Sequence, residues 1–270
     1  MARVLAISSQ VAWGPVGLTA LVPALQAAGH EVLALPTITL SNHPGHGTPS
    51  SFRTSAEDLR SIFAALEGLK VLDDTRAILT GYFADVAQVR ETASLIRGMA
   101  HNSLPPVVLV DPVIGDGNKL YVPEDVASAI REQLIPLASC ITPNQFELEW
   151  LTGKSAADEV LATAAARTLP APEVLATSIP AGTDRLATLL ITPDAVHRHH
   201  ARKLAQVPHG TGDFLSGLYL AARLGNPPAV AFARAMASLE HAIAMSAGSP
   251  LLDVARALHG TAAASKQPPS

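Results

Sequence analysis

An α/β fold, with a mostly parallel central sheet and helices on both faces in three αβα layers, follows from three features of the sequence. Short apolar runs alternate with stretches of helical periodicity along nearly the whole chain. Runs such as Val107-Val108-Leu109-Val110 carry no polar residue, as expected of strands buried on both faces. Polar groups recur just past one run after another, where a parallel sheet presents the carboxyl ends of its strands. No linker or repeat interrupts the pattern. Residues 1–260 therefore read as one domain, and the small, polar, Pro-containing stretch 261–270 as a disordered tail.

The elements follow in order. Residues 4–7 form a buried strand. Leu18, Leu21, Val22 and Leu25 repeat at helical spacing, and Gly29 ends that helix. Residues 32–35 make the next strand. Ser41-Asn42-His43-Pro44-Gly45-His46-Gly47 is too rich in turn formers for regular structure and opens a loop expected to run to residue 55. Ser55 with Asp58 is a capping signal for a helix bearing Leu59, Ile62, Phe63 and Leu66. Residues 77–79 are a strand, and Asp85 caps a helix carrying Val86, Val89, Ala93, Ile96 and Met99. After the strand at 107–110, Pro123 starts a helix with Val126, Ile130 and Leu134 on its face. Residues 139–141 and 174–176 are short strands, separated by an Ala-rich helix around 156–169. Residues 186–191 and 195–200 pair across Thr192-Pro193-Asp194, and helices around 213–224, 228–247 and 251–258 close the chain.

Composition narrows the function classes. The 270 residues are 48% hydrophobic, enough for a substantial core. Charged residues are 16% and the net charge is −4, so no basic excess points to nucleic acid or an anionic membrane. One cysteine, Cys140, excludes an internal disulfide framework, suits a reducing compartment and is expected to pack as a small hydrophobe. The first apolar run is too short for a secretory signal, and none approaches the ~20 residues of a membrane helix. The expected location is cytoplasmic.

The polar groups suggest a site. Ser8-Ser9-Gln10, Thr80-Gly81-Tyr82, Asp111-Pro112, Thr142-Pro143-Asn144 and Thr177-Ser178 each follow an apolar run, so parallel strands would gather them on one edge. Gly210-Thr211-Gly212-Asp213 opens a helix whose first amides carry partial positive charge. An anion cradle beside a carboxylate suits phosphoryl transfer to a hydroxyl; the competing reading is a Gly loop with an Asp cap. Asp111 ends a buried strand, where a bare carboxylate is costly unless a cation such as Mg²⁺ offsets it; otherwise it caps a turn. Asn144 caps the helix that carries Glu147 and Glu149, and those two glutamates, two apart, cannot share a helix face. His197 and His199 share a strand face, as metal ligands or as a solvated edge. His43 and His46 lie in the Gly/Pro loop, on a lid or merely at the surface. The chain has no Walker A loop, and Gly14 and Gly17 do not form a dinucleotide fingerprint.

Taken together, Ser9-Gln10-Val11 with Gly14 and Gly17, Leu40-Ser41-Asn42-His43, Gly81-Tyr82, Asp111-Pro112-Val113-Ile114-Gly115-Asp116, Thr142-Pro143-Asn144-Gln145-Phe146-Glu147 and Gly210-Thr211-Gly212-Asp213 resemble the pyridoxal kinase family of the ribokinase-like superfamily, from about residue 3 to about 258. The resemblance implies a ribokinase-like fold and ATP-dependent phosphorylation of the 5′-hydroxymethyl group of pyridoxal, with pyridoxine and pyridoxamine as further acceptors, in B6 salvage. It implies that Asp213 is the base and that the amides of Gly210, Thr211 and Gly212 form the anion hole. Ser9 would bind the pyridine ring, with His43 and Tyr82 lining the pocket under a closing loop. Asp111, Glu147 and Asn144 would sit at the Mg²⁺–phosphate region, Thr142 would help hold a monovalent cation such as K⁺, and Thr177 would contact ATP phosphates. Residues 195–207 would flank the adenine. The family also implies a homodimer. The chain departs from the family at Leu18, where an Asn is frequent, and in the Gly/Pro-rich loop Pro44-Gly45-His46-Gly47, which lacks an aromatic that some members carry; both changes bear on the vitamer pocket. The alternatives are a hydroxymethylpyrimidine kinase, in which the position of Asp213 is commonly cysteine, and a non-catalytic B6-vitamer-binding protein.

Overall fold

The computed structural model describes residues 1–117 and 119–264. Its elements, in chain order, are β1 (Arg3–Trp13), α1 (Leu18–Ala27), β2 (Glu31–Asn42), β3 (Ser51–Arg53), α2 (Ala56–Gly68), β4 (Thr75–Thr80), α3 (Val86–Met99), β5 (Val107–Val110), β6 (Gly115–Asp116), β7 (Lys119–Leu120), α4 (Glu124–Ala129), β8 (Cys140–Ile141), α5 (Gln145–Thr152), α6 (Glu159–Ala166), β9 (Glu173–Pro180), β10 (Arg185–Ile191), β11 (Val196–Arg202), α7 (Thr211–Arg223), α8 (Pro228–Met245) and α9 (Val254–Ala264).

The main sheet runs β11-β10-β9-β8-β5-β4-β1-β2-β3. From β9 to β2 every neighbouring pair is parallel, while β3, β10 and β11 join antiparallel at the two ends. Strand side chains alternate between faces. Val4 and Ala6 of β1 enter a core with Leu21, Phe214, Tyr219, Phe232 and Met236 of α1, α7 and α8. Leu5 and Ile7 enter the opposite core with Leu59, Phe63, Val89, Ile96 and Val126 of α2, α3 and α4. A smaller core packs α5 and α6 on β9 and β10. The three expected αβα layers are present. No described helix is long and apolar enough to cross a membrane.

Local signals account for the helix ends. Ser55 and Asp58 form a reciprocal capping box on α2, and Asp85 accepts the Gln88 amide at 2.9 Å at the start of α3. Gly29, φ 84°, follows α1 in the left-handed region. Beyond Ala129, α4 continues through a π turn (Ile130–Leu134) and a 3₁₀ turn (Ile135–Leu137).

Several elements differ from the sequence reading. β1 continues through Ser8, Ser9 and Gln10 to Trp13 because β2 runs beside it, pairing Gln10 with Thr39 and Trp13 with Asn42 across an irregularity. The stretch read as a loop from 41 to 55 is a hairpin: Ser41 and Asn42 end β2, β3 folds back onto Ile38, Thr39 and Leu40, and the connection holds a 3₁₀ turn (Pro44–His46). All three β3 residues are exposed, so no apolar pattern marks that strand. The β6–β7 hairpin likewise has no apolar signature. Ser139 lies outside β8, where its Oγ accepts the Val108 amide at 3.1 Å. α9 extends to Ala264, so residues 261–264, read as tail, are helical; residues 265–270 lie outside the described residues.

Candidate active site

The parallel strands bring Ser8–Gln10 within the extended β1, Thr177 and Ser178 within β9, which runs on to Pro180, and the polar groups at the ends of β4, β5 and β8 to one edge, and α7 approaches that edge with its N-terminus. Gly210 precedes α7 at φ 93°, and a Cβ there would run into the carbonyl oxygen of Pro15, so only glycine fits. Phe214 N–H donates to Gly210 O at 2.9 Å; the amides before it are outside the helical ladder, at the positive end of the helix. Asp213 lies in this first turn. Its carboxylate accepts the backbone amides of Gly17 and of Asp213 itself, and burial pushes its pKa up to about 6 against the pull of those amides. Gly17, φ 59°, packs so tightly on the backbone and hydroxyl of Ser9 that a side chain would not fit, and it bridges to Gln10. Ser9, Gly17, Gly210 and Asp213 therefore share one corner.

The second corner is acidic. Asp111, buried just beyond β5, accepts the Ser216 hydroxyl at 2.7 Å, and Ser216 meets Thr142 Oγ1 at 3.0 Å. Burial, then the charges of Glu147 and Asp213, hold the Asp111 carboxyl well above the usual carboxylate range, against hydrogen bonds from Ser216 and Thr142. Glu147 is 3% exposed. Its Oε2 accepts Asn144 N–H at 2.9 Å, and its Oε1 accepts Ile114 N–H at 2.9 Å with a longer 3.4 Å contact to Gly115 N–H. Asn144 Oδ1 accepts Glu147 N–H at 2.9 Å and its Nδ2 donates to Gly115 O at 2.8 Å, so the capping reading of Asn144 holds. Burial lifts the Glu147 pKa to about 7, opposed by those amides. Glu149 turns elsewhere, accepting Ala156 N–H at 2.7 Å. Between Asp111 and Glu147 the chain bends through Val113 at φ 44°, a strained conformation for a β-branched residue that costs about 1–3 kcal/mol.

Asp111, Glu147 and Asp213 gather three carboxylates without an ion pair to lysine or arginine among the described residues. Such an excess of buried negative charge suits a hard divalent cation with oxygen ligands. Asp111, held by hydroxyls, is the group with oxygen capacity to offer; Glu147 is already engaged by backbone amides and contributes mainly charge.

The remaining candidates frame these corners. Thr177 N–H donates to Pro143 O at 2.9 Å and Thr177 bridges to Asn144, placing it beside the acidic corner. Tyr82 N–H donates to the buried Ser8 hydroxyl at 3.1 Å, its carbonyl accepts the Thr37 hydroxyl at 2.7 Å, and burial raises its phenol pKa. His43 stacks 4.5 Å from His209, the residue before Gly210. Leu18, where the family often carries Asn, is buried in the α1–α7 core. The β11 histidines stay apart: His199 meets Glu240 at 3.0 Å and His200 meets Glu159 at 2.8 Å at the sheet edge, in keeping with the solvated reading. Cys140 is buried in the core, as expected of a small hydrophobe. Ser216 and the Gly17 amide escaped the sequence reading. Ser216 had one signal, its position a helical turn after Asp213 on the same face.

The chain matches the protein-family model described as phosphomethylpyrimidine kinase over residues 24–251. It is 32% identical over 238 residues to the pyridoxine/pyridoxal/pyridoxamine kinase of Bordetella pertussis (strain Tohama I), covering 86% of this chain and 84% of that one. Identity to the corresponding Bordetella avium (strain 197N) kinase is 36% over 219 residues, covering 78% and 73%. Among solved structures, pyridoxal kinase from Entamoeba histolytica superposes with a TM-score of 0.90 at 26% identity, covering 96% of this chain and 95% of that one. Pyridoxal kinase from Leishmania donovani in complex with ADP and pyridoxamine gives 0.89 at 29% identity, with coverage of 96% and 95%.

Proposed function

The chain belongs to the pyridoxal kinase family and is a phosphotransferase of B6 salvage, and from that premise we propose how its own residues carry the reaction. ATP is the phosphoryl donor, in line with the ADP bound by the Leishmania relative. Asp213 removes the proton from the 5′-hydroxymethyl group of the vitamer. The amides of Gly210, Thr211 and Gly212 receive the phosphoryl oxygens as charge builds on them, an interaction that strengthens toward the transition state. Ser9 meets the pyridine ring, and His43 and Tyr82 line the acceptor pocket. Asn144 and Thr177 hold the ATP phosphates, and residues 195–207 flank the adenine. Asp111 would ligate Mg²⁺, with the Glu147 charge beside it, and the ion would neutralise phosphate charge; Thr142 would help hold a monovalent cation such as K⁺. Ser216 positions Asp111 and ties it to the helix that carries Asp213.

One observation supports this reading above the others: a carboxylate with a pKa of about 6 sits in the first turn of a helix whose Thr211 and Gly212 amides lie ahead of the helical ladder, at its positive end. A base of that pKa is ionised at neutral pH and still able to take a proton. Residues 1–260 act as one kinase domain, working as a cytoplasmic homodimer; light scattering of the purified protein tests the dimer. The description of the family model keeps a hydroxymethylpyrimidine acceptor as the second reading. Incubation with ATP, Mg²⁺ and each acceptor in turn, with ADP measured, tests the assignment. ADP formation with pyridoxal, pyridoxine or pyridoxamine is the expected result. Turnover of hydroxymethylpyrimidine alone would overturn the acceptor, and no turnover with any acceptor would favour a B6-binding protein.

A further inference from the structure

Three histidines from two distant stretches of the chain face one another beside Gly210. His43 and His46 come from the β2–β3 connection and His209 from the segment leading into α7. One nitrogen of each lies within 4.8 Å of the others. A Cβ placed on Gly45 would lie 3.0 Å from His43 Nδ1 and 3.4 Å from His209 Nε2, so both nitrogens face the same glycine. His46 Nε2 is enclosed and has no hydrogen-bond partner among the described residues. Trp13 covers the His46 ring at a centroid distance of 4.9 Å. His43 Nδ1 accepts a 3.2 Å contact from Gly45 N–H, which marks Nδ1 as the unprotonated nitrogen; an ion bound there replaces that contact. The contrast with β11 is direct. Its His199 and His200 each meet a carboxylate, whereas no carboxylate is hydrogen-bonded to His43, His46 or His209 among the described residues.

We propose that His43, His46 and His209 form a three-imidazole site for a borderline divalent transition metal such as Zn²⁺, separate from the carboxylate site of Asp111 and Glu147. Nitrogen ligands suit Zn²⁺ and disfavour Mg²⁺. Tetrahedral Zn²⁺, with Zn–N bonds of about 2.0–2.1 Å, requires nitrogens roughly 3.4 Å apart, so from separations within 4.8 Å the rings close by at most about 1.4 Å. Three protein ligands leave the fourth position to water or to an oxygen ligand. Burial, then the rings of His209 and His46 for His43 and of His46 for His209, hold both below the ordinary imidazole pKa, so the neutral, ligating form is favoured. A bound ion ties the 43–50 connection to the entrance of α7. Given the acceptor-pocket role proposed for His43, coordination withdraws that side chain from the acceptor and inhibits phosphoryl transfer.

The test is equilibrium titration of the metal-free full chain with Zn²⁺ alone, with Co²⁺ absorption as a probe of tetrahedral nitrogen coordination. This binding measurement does not depend on kinase activity. One Zn²⁺ per chain is expected, bound at least tenfold more weakly in His46→Gln and in His209→Gln. The Zn²⁺ concentration that half-inhibits turnover at saturating Mg²⁺ and ATP should rise by the same factor in His46→Gln. Circular dichroism matching wild type establishes that both variants are folded. Binding unchanged in both folded variants, or no binding of Zn²⁺ or Co²⁺ by the wild-type chain, overturns the proposal.

Discussion

Two acidic corners face each other across the carboxyl edge of the sheet, and they are built in opposite ways. Glu147 is pinned: its two oxygens accept amides from Asn144, Ile114 and, at longer range, Gly115, and it is almost wholly enclosed. Asp213 remains partly exposed, held by the amide of Gly17 and its own. A carboxylate whose lone pairs are engaged fixes the backbone around it. One with lone pairs to spare can take a proton. The same residue chemistry thus divides between scaffold and reaction, and that division can be tested.

The largest effect belongs to Asp213. Asp213→Asn should lower kcat by about 10²–10⁴-fold, the range typical of a lost general base. ADP affinity should stay near wild type, because the α7 amides remain. Steady-state kinetics with an ADP titration check this, and near-normal turnover would remove Asp213 from the mechanism. A pH profile of the wild-type enzyme is the next lever. The active form of Asp213 is the ionised one, and its pKa is raised from 3.8 to about 6. The kcat/KM limb should therefore bend near pH 6 and fall roughly tenfold per unit below it. A profile flat down to pH 5 breaks the assignment.

Glu147 should respond in stability. Glu147→Ala leaves the Asn144 and Ile114 amides without acceptors, at about 1–3 kcal/mol for each buried group. Urea unfolding should show a midpoint well below that of Asp213→Asn; equal midpoints would erase the contrast between the corners. The smallest effect is expected at Asp111, whose folded-state pKa is raised by burial and neighbouring charge. A carboxyl with a raised folded pKa binds more protons folded than unfolded, so its stability contribution falls as pH rises from the ordinary carboxylate value toward the folded one. Metal-free Asp111→Asn should melt above wild type at pH 8, by a margin that shrinks on acidification, and it should require more Mg²⁺ for half-maximal activity. A variant that melts lower at pH 8 contradicts the uncompensated-charge reading.

Much of this was legible in the residues. The apolar run at Val107-Val108-Leu109-Val110 identifies a strand with both faces covered, because no polar side chain could be accommodated there. The Ser55–Asp58 box and the Asp85 cap act within one helical turn, so local spacing reveals them. The β2–β3 hairpin was not legible, since β3 gains from backbone pairing alone and buries none of its side chains. The polar end of β1 was hidden for a related reason: Ser8, Ser9 and Gln10 are held extended by β2 and not by their own pattern. Ser216 carries no local mark of its link to Asp111, 105 residues away.

By itself the sequence determined the layered α/β order, the edge on which the polar groups collect and the Gly-Thr-Gly-Asp turn at the head of α7. Periodicity, caps and glycine placement act over a few residues, so they can be read along the chain. Only the tertiary structure decided that Asp111, Thr142 and Ser216 share one hydrogen-bonded cluster, that Glu147 is enclosed while Asp213 stays partly exposed, and that His209 joins His43 and His46. Desolvation and the number of donors around a side chain depend on what packs against it from elsewhere, and those two quantities distinguish a carboxylate that holds the fold from one able to move a proton.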